Sequence, residues 1–203
     1  MRQWIATICL FVLCSISQVQ AATVLVVGDS ISAAFGLETQ HGWVALLQAR
    51  LLEHNAEFKV VNASISGETS GGGLARFPDL LVQYQPDYVI VELGGNDGLR
   101  GLSLTQMSAN LTDMVQQAKQ QGASVLLLGM RLPGNYGRRY TEAFYNVYQQ
   151  IAEQEQVPVV DFFLEGVGGE KGMMQADGVH PTQIAQPLLL ENAWRHLAPL
   201  LAQ

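Results

Sequence analysis

Short apolar runs rich in β-branched residues alternate along this chain with longer stretches in which apolar residues recur every three or four positions. Thr23 to Val27, Phe58 to Val61, Tyr88 to Leu93, Ser124 to Leu128 and Val157 to Val160 are the short runs. Their apolar residues are mostly consecutive rather than alternate, which predicts strands buried on both faces. Between them, Met107, Leu111, Met114, Val115 and Ala118 fall on one helical face, as do Tyr140, Ala143, Phe144, Val147, Tyr148 and Ile151. Trp43 to Leu52 carries a similar stripe in Val44, Leu47 and Leu51, and the last segment carries one in Leu190, Ala193, Trp194 and Leu197. Leu74 to Tyr84 predicts one further helix, with Pro78 either starting or breaking it.

Strands buried on both faces need crossover helices to connect them, so the pattern predicts an α/β protein: a three-layer α/β/α sandwich around a five-stranded parallel sheet. Ligands of such sheets bind beyond the carboxyl ends of the strands, so chemistry is sought in the residues just after each strand. The longest irregular segment, Leu164 to Gln175, reads equally well as a functional loop or as mobile surface. Gly71-Gly72-Gly73 completes neither G-x-G-x-x-G nor a Walker lysine pattern and reads as a flexible turn.

The N-terminus departs from this alternation. Met1-Arg2-Gln3 carries one positive charge, Trp4 to Ile16 is almost wholly apolar, and Val19-Gln20-Ala21 suits a signal peptidase. The apolar stretch is shorter than the roughly 20 residues of a transmembrane helix. Residues 1–21 are therefore expected to be a signal peptide cleaved after Ala21, and residues 22–203 a single periplasmic or secreted domain. Both cysteines, Cys9 and Cys14, leave with the signal, so packing rather than disulfides must stabilise the mature chain. The whole chain carries −7 and loses one positive charge with Arg2, leaving −8. With no cluster of Lys and Arg, nucleic acid is excluded as a partner, and Arg138-Arg139 reads as a solvated helix start.

Candidate chemistry begins at Asp177-Gly178-Val179-His180-Pro181, where a carboxylate and an imidazole stand three residues apart in a turn. Asp177 can hold one imidazole nitrogen and leave the other free as a base. His41, His54 and His196 occupy bland positions in or beside helical segments. A nucleophile is offered by Ser30 in Gly28-Asp29-Ser30-Ile31, directly after the first strand and outside any G-x-S-x-G elbow. Acyl transfer also needs oxyanion donors. Ser30 and Gly67 have backbone N–H groups to give, and Asn96 a side-chain amide, all just after predicted strands. Taken singly, each segment is also an ordinary turn. Metal binding at Asp177 and His180 lacks further ligands at suitable spacing, and neither a metal nor a cofactor is expected.

The segments around Ser30, Gly67, Asn96 and His180 resemble the four blocks of the SGNH hydrolases, also called the GDSL family, with Ile31 where the short motif has leucine. Longer stretches carry the likeness across the mature chain, among them Val61 to Gly67, Val91 to Gly101 and Arg131 to Tyr140. The resemblance implies a flavodoxin-like fold, Ser30 as nucleophile, His180 as base and Asp177 as its orienter. It further implies Ser30, Gly67 and Asn96 as the oxyanion hole, and fatty acyl thioesters, lysophospholipids and aryl esters as small-molecule substrates. Leu99, Leu102, Leu132 and Pro133 flank Asn96 or follow the fourth strand and are expected to hold the acyl tail, although core packing would explain each one singly. A monomer is expected. The alternatives are a carbohydrate acetyl esterase with the same catalytic set and a non-catalytic secreted binding protein.

Overall fold

The computed structural model describes residues 21–54 and 58–202. The expected signal peptide therefore lies almost wholly outside the described residues. Five strands form one parallel sheet: β1 (Ala22–Gly28), β2 (Phe58–Asn62), β3 (Tyr88–Glu92), β4 (Ser124–Leu128) and β5 (Val159–Val160). Their order is β2-β1-β3-β4-β5, with Val26 opposite Asn62 on one side and Ile90 on the other. Val24 to Val27, Val89 to Val91 and Leu126 to Leu128 are essentially unexposed, as expected for strands covered on both faces.

Six α-helices flank the sheet among the described residues: α1 (Trp43–His54), α2 (Ser70–Tyr84), the short α3 (Gly95–Leu99), α4 (Leu104–Gln120), α5 (Arg138–Glu155) and α6 (Gln186–Leu201). Helix α1 packs with α6, while α2 packs with α4 and α4 with α5. Parallel crossovers share one hand, so laying β2 to one side of β1 and the later strands to the other sends their helices to opposite faces. The reversal makes a crevice between the carboxyl ends of β1 and β3, the usual ligand position in this strand order.

Two expectations about local structure need correction. The Gly71-Gly72-Gly73 run is the first turn of α2, not a flexible turn. The Thr69 side chain accepts from the Gly72 N–H at 3.2 Å and caps the helix, and a Cβ on Gly73 would stand 2.3 Å from Leu93 Cδ1. Glycine there lets the helix approach the end of β3. Helix α2 thus starts earlier than Leu74 and runs through Pro78, with Phe77 and Leu81 buried on either side. Strand β5 is also shorter than Val157 to Val160. Pro158 still accepts from Leu127 N–H through its carbonyl, but it has no N–H to continue the ladder.

Candidate active site

The chain turns sharply as it leaves β1. Asp29 Oδ1 accepts the Ile31 N–H at 3.0 Å, and the Phe35 N–H bonds back to the Ser30 carbonyl at 2.9 Å. This local Asx-type turn sets Ser30 at the carboxyl edge of the sheet. Ile31, in the position where the family motif has leucine, packs its side chain into the core.

The Asp177 turn arrives from the far end of the chain. Asp177 Oδ1 accepts the N–H groups of Val179 at 2.9 Å and His180 at 3.0 Å, and Gly178 takes φ +71° to allow the bend. The segment is held by Gln175 N–H to His180 O and Thr182 N–H to Met173 O, both 2.7 Å. Gln175 Nε2 also donates to the carbonyls of Phe35 at 2.8 Å and Pro181 at 3.0 Å, pinning the turn to the segment after Ser30. The Phe35 ring lies 4.4 Å from the His180 ring.

Asp177 Oδ2 lies 2.7 Å from His180 Nδ1, and His180 Nε2 lies 2.9 Å from Ser30 Oγ. A carboxylate only accepts, so Nδ1 carries the hydrogen and Nε2 is left to accept from the Ser30 hydroxyl. The backbone N–H of His180, its ring and the Val179 N–H hold the Asp177 carboxyl well below the usual carboxylate range. The carboxylate that orients the ring thus stays ionised wherever the imidazole can act as a base.

Gly67 and Asn96 come to the same cavity as Ser30 and His180. Among the described residues, no acceptor takes the backbone N–H of Ser30 or of Gly67. Asn96 sits in α3, its Nδ2 donating to Asp29 Oδ2 at 3.0 Å and its Oδ1 accepting from Arg100 Nη2 at 3.3 Å. A second Arg100 bond, 2.9 Å, ends on the Gly67 carbonyl. Beneath, buried Asp97 accepts from Ser70 N–H at 2.8 Å and Ser70 Oγ at 2.6 Å. That carboxylate suits the N-terminus of α2 and fixes the Gly67 loop beside α3.

Under Asp29 lies a second acid, Glu92, at the end of β3 and 0% exposed. Its Oε2 accepts from Ser32 Oγ at 2.7 Å and from Asp29 N–H at 3.3 Å, while its Oε1 has no partner. Burial and then the Asp29 charge push its pKa well above the usual range. Burial likewise raises Asp29, to about 6, although bonds from Ile31 and Asn96 oppose the shift. Burial beside a second carboxyl therefore favours the protonated form of Glu92 more than solvent would.

The cavity encloses about 810 Å³ and runs past the ends of β1, β3, β4 and β5. Leu99, Leu132 and Pro133 line it, with Met130, Phe162 and Leu164 beyond them. Leu102 does not. Helix α3 stops at Leu99, Gly101 turns the chain at φ +65°, and Leu102 is 43% exposed outside the cavity. The Leu164 to Gln175 segment is a series of turns with Leu164 and Val167 buried, tied to α6 through Asn192 Nδ2 bonds to the Phe163 and Glu165 carbonyls. It forms cavity wall through Leu164, Gly168, Gly169 and Met174.

Reasoning from sequence missed Asp29, Glu92 and Arg100. Asp29 and Glu92 did leave a signal, since each is an acid against a strand otherwise buried on both faces. Arg100 left none, because its partners are a distant backbone carbonyl and an amide oxygen.

The model of the GDSL-like lipase/acylhydrolase family matches residues 26–186. Esterase TesA of Pseudomonas aeruginosa is 58% identical over 201 residues, spanning 99% of this chain and 100% of that protein. Thioesterase 1/protease 1/lysophospholipase L1 of Escherichia coli is 43% identical over 199 residues, spanning 98% and 94%. The crystal structure of the psychrotrophic esterase EstA from Pseudoalteromonas, inhibited by monoethylphosphonate, superposes with a TM-score of 0.84 at 40% identity, covering 89% of this chain and 99% of that one. The residues matched and the extent of these likenesses place the chain in the GDSL-like lipase/acylhydrolase family.

Proposed function

We propose that this protein is an exported serine hydrolase that cleaves fatty acyl thioesters, lysophospholipids and aryl esters through an acyl-Ser30 intermediate. The observation that carries the reading is the unbroken run Asp177–His180–Ser30 at the wall of a largely apolar cavity. Ser30 Oγ attacks the acyl carbonyl and gives its proton to His180 Nε2. The carbonyl oxygen, now an anion, accepts from Ser30 N–H, Gly67 N–H and Asn96 Nδ2. Collapse breaks the bond to the thiolate or alkoxide, which leaves with the His180 proton. Water then attacks the acyl-enzyme with His180 again as base, releasing the fatty acid and restoring the Ser30 hydroxyl. Asp177 stays ionised throughout and stabilises the imidazolium.

Leu99, Leu132 and Pro133 hold the acyl tail in this scheme. Beyond Ser30 the cavity wall is largely apolar, with Met130, Phe162 and Leu164 joining these three, which favours an acyl tail over the polar sugar of the carbohydrate acetyl ester alternative. Each methylene buried contributes about 0.8 kcal/mol, roughly a fourfold gain in kcat/KM. Across acetyl, butyryl, hexanoyl and octanoyl thioesters, kcat/KM should therefore climb steeply. A flat profile, or one that peaks at acetyl, would overturn the lipid reading.

Export rests on the charged, apolar and small-residue pattern of residues 1–21. No helix among the described residues is long and apolar enough to cross a membrane, and β1 opens at Ala22. Protein recovered outside the cytoplasm should begin at Ala22, and an intact-mass measurement that finds residues 1–21 retained would refute cleavage. The site is assembled within one chain, so a monomer suffices.

A further inference from the structure

Arg100 does not line the cavity, yet a single nitrogen of its guanidinium joins two of the three groups assigned above to the oxyanion. We propose that Arg100 is a positioning residue of the oxyanion hole: it orients the Asn96 amide and the Gly67 peptide and strengthens the Asn96 donor as negative charge develops. The inference rests on the reading of Ser30, Gly67 and Asn96 given under Proposed function.

Three observations carry it. The first is orientation. An asparagine amide can flip, but here Oδ1 receives a guanidinium hydrogen while Nδ2 gives one to the Asp29 carboxylate. A flip would set donor against donor at Arg100 and acceptor against acceptor at Asp29. The amide is therefore fixed with its remaining hydrogen free for the oxyanion. Neither contact alone makes the choice as firmly, since each opposes the flip from a different end of the amide.

The second is electrostatics. Guanidinium keeps its charge at every working pH, and a cation bonded to an amide oxygen draws electron density from the nitrogen, so the Nδ2–H becomes a stronger donor. No Asp or Glu pairs with Arg100 among the described residues. No direct ion pair therefore neutralises it, and it lies one amide away from the oxyanion that forms, with the Asp29 carboxylate at the other end of that amide.

The third is that other bonds already join the two elements. Gly67 lies in the β2–α2 loop and Asn96 in α3, and the buried Asp97 bonds to Ser70 already fasten those elements. Arg100 instead adds an exposed bond from α3 to Gly67, whose φ of +80° only glycine adopts readily. Turning the Gly67 peptide out of this conformation would swing both its carbonyl and its N–H.

Steady-state kinetics on Arg100→Met, Arg100→Lys and Arg100→Ala test the proposal. Removing an oxyanion donor outright costs about a hundredfold or more in kcat, so losing a group that acts through the donors should cost on the order of tenfold. Arg100→Met should lose that much kcat with KM held within about twofold, because an interaction made only in the transition state appears in kcat. The loss should be the same for acetyl and octanoyl esters, since the carbonyl and not the tail is affected. Arg100→Lys retains a charged nitrogen that can donate twice, but on a shorter side chain with a tetrahedral head, and should fall between. Guanidinium chloride at tens of millimolar should restore part of the kcat of Arg100→Ala, and potassium chloride at equal ionic strength should not.

Wild-type kcat in Arg100→Met would overturn the inference. So would a loss confined to KM, or a loss that grows with acyl length. Failure of guanidinium to rescue, together with a large drop in Tm, would show a purely structural residue instead. Ser30→Ala measured in parallel separates the layers. Retained turnover there defeats the reading of the site itself, whereas an inactive Ser30→Ala beside a normal Arg100→Met defeats only the role of Arg100.

Discussion

Asp177 and Glu92 are acids on the same side of the sheet whose surroundings drive them in opposite directions. Asp177 is 41% exposed at its side chain and accepts hydrogen bonds that favour the anion. Glu92 is sealed in the core beside a second carboxyl and, among the described residues, pairs with no cation. The sign of the consequence follows from linkage. Glu92 in the folded protein holds its proton above the pH at which an unfolded chain releases it, so its folded pKa is raised. Stability associated with it is full below the unfolded carboxyl pKa and falls as pH rises towards the folded value, by about 1.4 kcal/mol per pH unit at most. Glu92→Gln keeps an acceptor for Ser32 and the Asp29 N–H without this proton linkage. Thermal melts between pH 5 and pH 8, within reach of ordinary buffers, should therefore show the variant gaining on the parent as pH rises. A gap in Tm that does not change with pH would mean that Glu92 is ionised in the fold. Ser30, His180 and Asp177 were legible in sequence because a turn or a strand end marks each of them locally. The Arg100–Gly67 and Glu92–Ser32 contacts were not, because they join residues 33 and 60 apart in the chain and no local pattern encodes them.

At the scale of elements, periodicity located the four longer strands and the long helices, and it failed where tertiary packing overrode composition. Three consecutive glycines look like a turn, yet Thr69 caps a helix there and Leu93 requires the absence of a Cβ. Apolar Val157 looks like strand, yet Pro158 ends the ladder. Leu102 looks like cavity lining by its nearness to Asn96, but the turn at Gly101 takes it out to solvent. The β4–β5 edge carries its own prediction. Gly129 follows β4, its N–H bonds Val160 O at 2.8 Å, and its carbonyl accepts from Phe163 N–H at 2.8 Å. A Cβ on Gly129 would meet the Val160 carbonyl oxygen at 2.6 Å and the Asp161 carbonyl oxygen at 3.0 Å, both backbone atoms that cannot rotate away. Gly129→Ala should therefore destabilise by about 1–3 kcal/mol, the usual range for overpacking. Because Phe162 and Leu164 line the cavity just beyond this edge, turnover of octanoyl esters should drop more than that of acetyl esters. Unfolding curves and the two rates check this, and an Ala variant as stable as the parent would remove the packing argument.

Over the whole molecule, the strand order does most of the assembly. Ser30 and His180 are 150 residues apart in sequence, and the sheet with its reversal between β1 and β3 brings both to one edge. Gln175 then ties the Asp177 turn to Phe35, so the imidazole is fixed relative to the serine by hydrogen bonds and by the Phe35 ring. The cavity continues past β3 and β4 to β5, and on the proposed reading this is the apolar path along which an acyl chain leads away from the reacting carbonyl. Family membership fixes the class of protein, while the assignment of roles to Ser30, Asp177 and His180 is the central claim. It is tested most directly by mass spectrometry after reaction with a long-chain fluorophosphonate, which bonds only to an activated nucleophile. The account predicts one adduct per chain, on the peptide that contains Ser30, with none on folded Ser30→Ala and labelling slowed by about a thousandfold or more in His180→Ala. An adduct on another residue, or full ester turnover by Ser30→Ala, would contradict it.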